Sequence, residues 1–179
     1  MSTHSQKVTW HIDPEYSSIH FKIRHSGLAT LSGSFDQFEG TVETENDQFA
    51  KADIRANVEV ASINTGSADR DAQLRSADLL QADRYPYITF ISKGLVADGS
   101  RTLLKGQLTI GDQTRPVTFR AYVGGTRIDP SGCRKAHIEL SGTVHREAFD
   151  LEWRGAFEKA PRVMSDTIEV LMRIQLVLV

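Results

Sequence analysis

Residues 51–62 read Lys-Ala-Asp-Ile-Arg-Ala-Asn-Val-Glu-Val-Ala-Ser, with apolar and polar side chains in alternation. The apolar positions are Ala52, Ile54, Ala56, Val58 and Val60, and the polar ones between them are Asp53, Arg55, Asn57 and Glu59. A period of two residues is typical of a strand that buries one face and exposes the other. This stretch therefore predicts a long strand whose apolar face lies on a core.

The same alternation recurs along most of the chain. It begins with Ile19, Phe21 and Ile23, and the later segments lie around residues 88–90, 104–110, 117–123, 138–144 and 168–176. Turn sequences at 97–100, 111–114 and 129–132 predict hairpins, so strands adjacent in the sequence should pair antiparallel. Two packed sheets or a closed barrel would cover the apolar face, and about eight hairpin-linked strands favour the barrel. We therefore predict an all-β fold, an antiparallel up-and-down β-barrel.

One segment has a helical pattern instead. Residues 67–81 are rich in helix-forming side chains, with Leu74 and Leu80 on an apolar face. Ser67 or Asp69 could cap the start of this helix. The sequence therefore predicts a single helix among the strands.

The charged side chains at the start of this helix allow two interpretations. Asp69, Arg70, Asp71 and Arg75 could cap the helix and form a local ion pair. Alternatively, the helix could be a lid that closes one barrel mouth, with Arg70 and Asp71 near a ligand's polar head. Both interpretations stay open at this point.

The composition excludes several classes of protein. The chain has 179 residues, of which 40% are hydrophobic and 25% charged, and its net charge is -2. These values are typical of one globular domain, predicted here as residues 8–179 after a flexible N-terminus of residues 1–7. The charge balance argues against nucleic acid as a partner. No apolar run approaches the roughly 18 residues of a membrane helix, so we expect no stable membrane insertion. The N-terminal residues lack a secretory signal pattern, so we expect a cytoplasmic protein.

The chemistry-bearing residues form no recognised catalytic motif. The single cysteine, Cys133, excludes an intrachain disulfide, and the 6 histidines lack the close one-face spacing of a metal pair. His25 has the inward parity of Phe21 and Ile23, which makes it the one inward histidine. From the sequence we therefore expect no catalytic residue, no metal and no cofactor. We expect a protein that is not an enzyme.

Whether the barrel is hollow depends on how its small inward residues are used. These are Ala52, Ala56, Gly106, Ala121, Ala136 and Gly142. They could leave space along the axis, or large side chains from opposite strands could fill that space. A strand of roughly 12 residues spans roughly 40 Å, so such a barrel could enclose a slender ligand. A long chain would gain about 0.8 kcal/mol per buried CH₂ group.

An ordered set of short motifs resembles the YceI-like family. The set includes Trp10-His11-Ile12-Asp13-Pro14, the stretch from Ser17 to His25, Gly33-Ser34-Phe35, the stretch from Ala61 to Gly66, Arg70-Asp71, Tyr85-Pro86, Gly106 to Ile110, Thr114 to Val117, and Arg146 with Phe149. The resemblance implies a lipocalin-like barrel with a helix near its mouth. It also implies binding of polyisoprenoids such as quinones, or of fatty chains and amides, and a homodimer.

We therefore expect a non-catalytic carrier that holds a long-chain lipid. This hydrophobic small molecule would be its ligand, and we expect no cofactor besides it. The expected cavity-lining residues are Phe21, Ile23, Phe35, Val58, Phe90, Leu108, Phe119, Ile138 and Met172, and the expected mouth residues are His25, Arg70 and Asp71. One alternative is an enzyme or stress-response factor that acts on a lipid-like substrate through His25. Another is a packed barrel that serves as an interaction module.

Overall fold

The computed structural model describes residues 5–25, 30–151 and 164–179. Its strands are β1 (Lys7–Ile12), β2 (Ser18–His25), β3 (Thr30–Phe35), β4 (Phe38–Glu45), β5 (Gln48–Glu59), β6 (Ile63–Asn64), β7 (Tyr87–Asp98), β8 (Arg101–Ile110), β9 (Gln113–Ile128), β10 (Arg134–His145) and β11 (Met164–Leu178). Helix α1 (Ala68–Arg75) lies between β6 and β7, and 3-10 helices occupy Pro14–Tyr16, Val60–Ser62 and Glu147–Phe149. None of the helices in the described ranges is long and apolar enough to cross a membrane.

The strands form a closed antiparallel barrel, as predicted. The ring runs β1-β4-β5-β7-β8-β9-β10-β11, and it closes because β1 pairs with both β4 and β11. Strand β2 continues β1 along β11, β3 pairs with β2, and β6 pairs with β3. The barrel therefore has 8 strands, three of which are interrupted. The exact domain boundaries stay a prediction.

The stretch that predicted the barrel behaves as expected except at its end. Ala52 and Val60 are buried, whereas Asp53 and Arg55 are exposed and Asn57 and Glu59 are half-buried. The strand, however, stops at Glu59, and Val60–Ser62 turns into a 3-10 helix. The Ser62 hydroxyl donates to the Glu59 carbonyl (2.7 Å) and so stabilises this turn.

The helix is shorter than predicted. Ser67 caps it, since its side chain accepts from the Arg70 amide, but α1 ends at Arg75 rather than at residue 81. The Ser76 hydroxyl donates to the Gln73 carbonyl (2.6 Å), which competes with continued helix. Gln81 then adopts a φ of 51°, in the left-handed region, and reverses the chain.

Buried apolar side chains form one cluster toward each end of the barrel. The first, which we call the floor cluster, contains Trp10, Val42, Ala52, Leu104, Phe119, Ala121, Ala136, Ile138, Leu140, Ile174 and Leu176. The second, the helix-end cluster, contains Phe21, Val60, Ile63, Leu74, Leu80, Leu108, Ile110, Val144 and Phe149. The helix therefore packs over one end of the barrel, while the N- and C-terminal strands β1 and β11 meet at the other.

Gly94 allows two strands to approach each other closely, and replacing it with alanine should destabilise the protein. Its φ is 122°, and a Cβ atom there would lie 2.8 Å from the carbonyl oxygens of Phe49 and Ala50. Backbone strain of this kind costs about 1–3 kcal/mol. We expect Gly94→Ala to lower the free energy of unfolding in urea by at least that amount.

Gly99→Ala is the matched control for this prediction. Gly99 also has a positive φ, 60°, but no atom lies within 4 Å of its would-be Cβ. Gly99→Ala should lower the free energy of unfolding only because alanine disfavours the left-handed conformation, by about 1–2 kcal/mol. If Gly94→Ala costs no more than Gly99→Ala, the close strand contact contributes nothing to stability.

Candidate functional site

A cavity of about 240 Å³ lies inside the barrel, between the floor cluster and the helix-end cluster. Its wall is almost entirely apolar, and the strands contribute alternate side chains to it. Leu74 on α1, together with Leu79 and Leu80 just after it, forms the wall on the helix side. A cavity with such a wall favours an apolar guest over water, which needs two or more polar partners.

Each apolar residue expected to line the cavity does lie in its wall. These residues are Phe21, Ile23, Phe35, Val58, Phe90, Leu108, Phe119, Ile138 and Met172. Strand parity located them correctly because a barrel points every second side chain inward. Their contact with a ligand stays a prediction.

Two of the small residues that could have left the axis open are instead covered by aromatic rings. A Cβ atom on Gly106 would lie 2.4 Å from Cζ of Phe90, and one on Gly142 would lie 2.8 Å from Cδ1 of Phe119. The two rings meet edge to face, with centroids 6.0 Å apart. The phenylalanine rings therefore pack over these glycines, and the glycines do not enlarge the cavity.

The small residues at other positions divide into two groups. Ala56 faces the cavity, whereas Ala52, Ala121 and Ala136 are buried in the floor cluster with Trp10. The indole of Trp10 is completely buried in the same cluster. The interior is therefore hollow in the middle and packed at the floor.

Arg70 and Asp71 lie in a hydrogen-bonded group around Thr65, outside the cavity wall. The Thr65 hydroxyl donates to Oδ1 of Asp71 (2.6 Å) and accepts from Nε of Arg70 (2.8 Å). The Thr65 amide also donates to Asp71, which is buried, and Nη2 of Arg70 donates to the Thr65 carbonyl. The group ties the start of α1 to the chain leaving β6. A role for either residue at a ligand's head group stays a prediction.

His25, the third expected mouth residue, is the last residue of β2. Its side chain lies outside the described residues, so its role at the mouth stays a prediction. Within the described ranges, His, Cys, Asp and Glu side chains form no group of three or more that could hold a metal ion.

Arg146 is a cavity-wall residue that strand parity did not identify. It follows the end of β10, is half buried, and its Nη1 donates to the Leu151 carbonyl (3.3 Å). Burial lowers the pKa of Arg146, while the negative charges of Asp166 and Glu147 oppose that shift. A guanidinium at the edge of an apolar cavity can donate hydrogen bonds to an oxygen-bearing head group.

Asp166 fixes the turn that carries Arg146. The Glu147 amide donates to Oδ1 of Asp166 (2.9 Å), and Nδ1 of His145 lies 3.0 Å from Oδ2. The backbone hydrogen bond from Glu147, followed by that from His145, lowers the pKa of Asp166. The carboxylate therefore stays charged and holds the 3-10 helix at the barrel mouth.

Phe49 is a second wall residue that the sequence did not reveal. It lies just after a tight turn in which Asn46 and Asp47 both have positive φ, 51° and 61°. Such a two-residue turn is typical of β-hairpins. The Asn46-Asp47 pair is the sequence signal of this turn. The strand predicted from alternation begins only at Lys51, so it does not include Phe49.

Comparison with known proteins agrees with this fold. A family model described as the YceI-like domain matches residues 10–176. The protein YceI of Shigella flexneri is 33% identical over 138 residues, which cover 77% of this chain and 72% of that protein.

Solved structures show the same architecture. BcnA of Burkholderia cenocepacia superposes with a TM-score of 0.77 at 19% identity, covering 92% of this chain and 98% of BcnA. A polyisoprenoid binding domain from Saccharophagus degradans, implicated in plant cell wall breakdown, gives a TM-score of 0.70 at 16% identity, with coverages of 93% and 97%.

Proposed function

Since this chain belongs to the YceI-like domain family, we propose that it is a non-catalytic carrier that binds a long-chain apolar lipid inside its barrel. The ligand class is a polyisoprenoid, such as a quinone, or a fatty acid or amide. The observation that carries this proposal is the apolar cavity between the floor and the helix. The structural likeness to a polyisoprenoid binding domain supports the ligand class.

The cavity suggests how such a ligand would lie. Its apolar wall would hold the tail, and the half-buried guanidinium of Arg146 would donate to an oxygen of the head group at the mouth. A volume of about 240 Å³ is slightly below the roughly 300–1,000 Å³ of small-molecule pockets. One segment of a long chain would therefore be enclosed, and the remainder would extend past α1.

The cavity also favours this function over a packed barrel that serves only as an interaction module, which would have a solid interior. In the part of the chain that the structure describes, no observation favours an enzyme that acts on a lipid-like substrate. A cytoplasmic location and a homodimer stay predictions.

Organic extraction of the purified protein, followed by mass spectrometry, tests the proposal. Protein produced in cells rich in quinones and fatty lipids should carry one of them at a constant ratio to protein. The delipidated protein should then take up a fluorescent long-chain probe, since each buried CH₂ group contributes about 0.8 kcal/mol. Protein that carries no lipid and takes up no probe would contradict the proposal.

A further inference from the structure

We propose that Phe49 sets the maximum length of chain that the barrel encloses. The enclosed segment of the lipid tail would end at this ring, and any additional length of the lipid would remain outside the barrel mouth. This inference rests on the lipid binding proposed above.

Phe49 stands where the open cavity meets the packed floor. Its ring lines the cavity, whereas Trp10, with which it is in contact, does not. The two ring centroids are 5.6 Å apart at an angle of 44°. Four buried residues of the floor cluster have no surface on the cavity, namely Trp10, Ala52, Ala121 and Ala136, whereas the other members line it. A chain that descends from the helix end therefore stops at Phe49.

The backbone that carries Phe49 is fixed by two contacts besides Trp10. Asp47, in the turn of the β4–β5 hairpin, forms an ion pair with Arg134 at the start of β10. Strands β5 and β10 are not neighbours in the ring, so this pair reaches across the barrel end. On the other side, Gly94 packs against the carbonyl of Phe49. These two contacts fix the backbone of Phe49, and the buried indole of Trp10 packs against its ring, so the ring can act as a stop.

The distance from the floor to the mouth limits the enclosed segment. On β10 the wall runs from Ile138 to Val144, about 20 Å along the strand at 3.3 Å per residue, and the depth along the barrel axis is less because barrel strands are tilted. The cavity volume of about 240 Å³ is below the roughly 300–1,000 Å³ of pockets that enclose a drug-sized ligand. Both values describe a short, slender segment rather than a whole polyisoprenoid.

Phe35 offers a matched comparison. It is also a half-buried phenylalanine in the cavity wall and it also packs against another ring, that of Phe21, at 5.6 Å. It lies, however, beside the helix-end cluster. Removing either ring should weaken binding through lost contact, but only Phe49 should alter the length limit.

The test is a titration of the delipidated protein with even-numbered n-alkanoates from octanoate to eicosanoate. For the wild type, affinity should rise about fourfold per added CH₂ group and then become constant beyond a limiting length. In Phe49→Ala the limit should move to a longer alkanoate. In Phe35→Ala affinity should fall for every alkanoate, with the limit unchanged. Phe49→Leu, which retains more of the apolar side chain, should move the limit less and serves if the alanine variant does not fold.

The outcomes separate this inference from the function on which it rests. If alkanoates bind but the wild type shows no limiting length, or if both Phe49 variants keep it, Phe49 does not set the length and lipid binding still stands. If Phe35→Ala moves the limit equally, the effect is not specific to the floor and the inference fails. If no alkanoate binds to the wild type although organic extraction yields a bound lipid, this inference fails and the proposed function stands. If extraction and probe uptake are negative as well, both fail.

Discussion

Ala56→Trp should abolish uptake of a long-chain probe while leaving the barrel folded. Ala56 faces the cavity from β5 and lies directly opposite Gly40 on β4 and Phe90 on β7. An indole at this position would fill the lumen midway between floor and mouth. Excluding only four methylenes of a ligand would lower its affinity on the order of 200-fold. Fluorescence titration of the delipidated variant measures the loss.

Asn57→Trp is the control for the added bulk. Asn57 is the next residue on β5, and its side chain points away from the cavity to donate to Glu39 on the barrel surface (3.4 Å). This variant should bind the probe as the wild type does. Overpacking by Ala56→Trp should itself cost about 1–3 kcal/mol, so circular dichroism must show that the strands persist. A folded Ala56→Trp protein that binds the probe normally would mean that the ligand does not occupy the lumen.

The barrel and its inward-facing residues could be predicted from the sequence because they depend on a local property. Alternation between Ile54 and its polar neighbours determines which face of β5 is buried, and the short hairpins determine which strands pair. Inside a closed barrel every inward residue faces the interior, and the middle of this interior is the cavity. The parity of Phe21 or Met172 was therefore enough to assign it to the cavity wall.

The shape of the cavity could not be predicted in this way, because it depends on which side chains meet across the barrel. Gly106 looks like an open position in the sequence, yet the ring of Phe90 from the neighbouring strand covers it. Phe49 lies at the start of β5, where the pairing with β4 shifts register between Ala52 and Gln48, so it does not follow the parity of Ala52 and Ile54. Arg146 follows the end of β10, where strand alternation carries no information. The Arg70–Asp71 pair had two interpretations, and Thr65, the residue that both contact, is not adjacent to them in the sequence.

Trp10→Ala should produce the largest loss of stability among the substitutions considered. Trp10 lies on β1, the strand that closes the barrel through pairs with Val42 on β4 and Leu178 on β11. Its side chain has 0% exposure, and its Nε1 donates to the hydroxyl of Thr44 (3.3 Å). Removing a buried tryptophan costs about 3–5 kcal/mol through lost contacts and the cavity left behind. For a domain of this size, that loss lowers the melting temperature by about 10 °C.

Trp10→Phe separates the two contributions of this side chain. Phenylalanine retains an aromatic ring beside Phe49 but cannot donate to Thr44, whose hydroxyl would then be buried without this donor. An unsatisfied buried group costs about 1–3 kcal/mol, so we expect Trp10→Phe to be destabilised less than Trp10→Ala. Urea unfolding of the three proteins measures both differences. If Trp10→Ala unfolds at the same urea concentration as the wild type, packing at the floor does not hold the barrel closed, and a firm stop at Phe49 loses its main support.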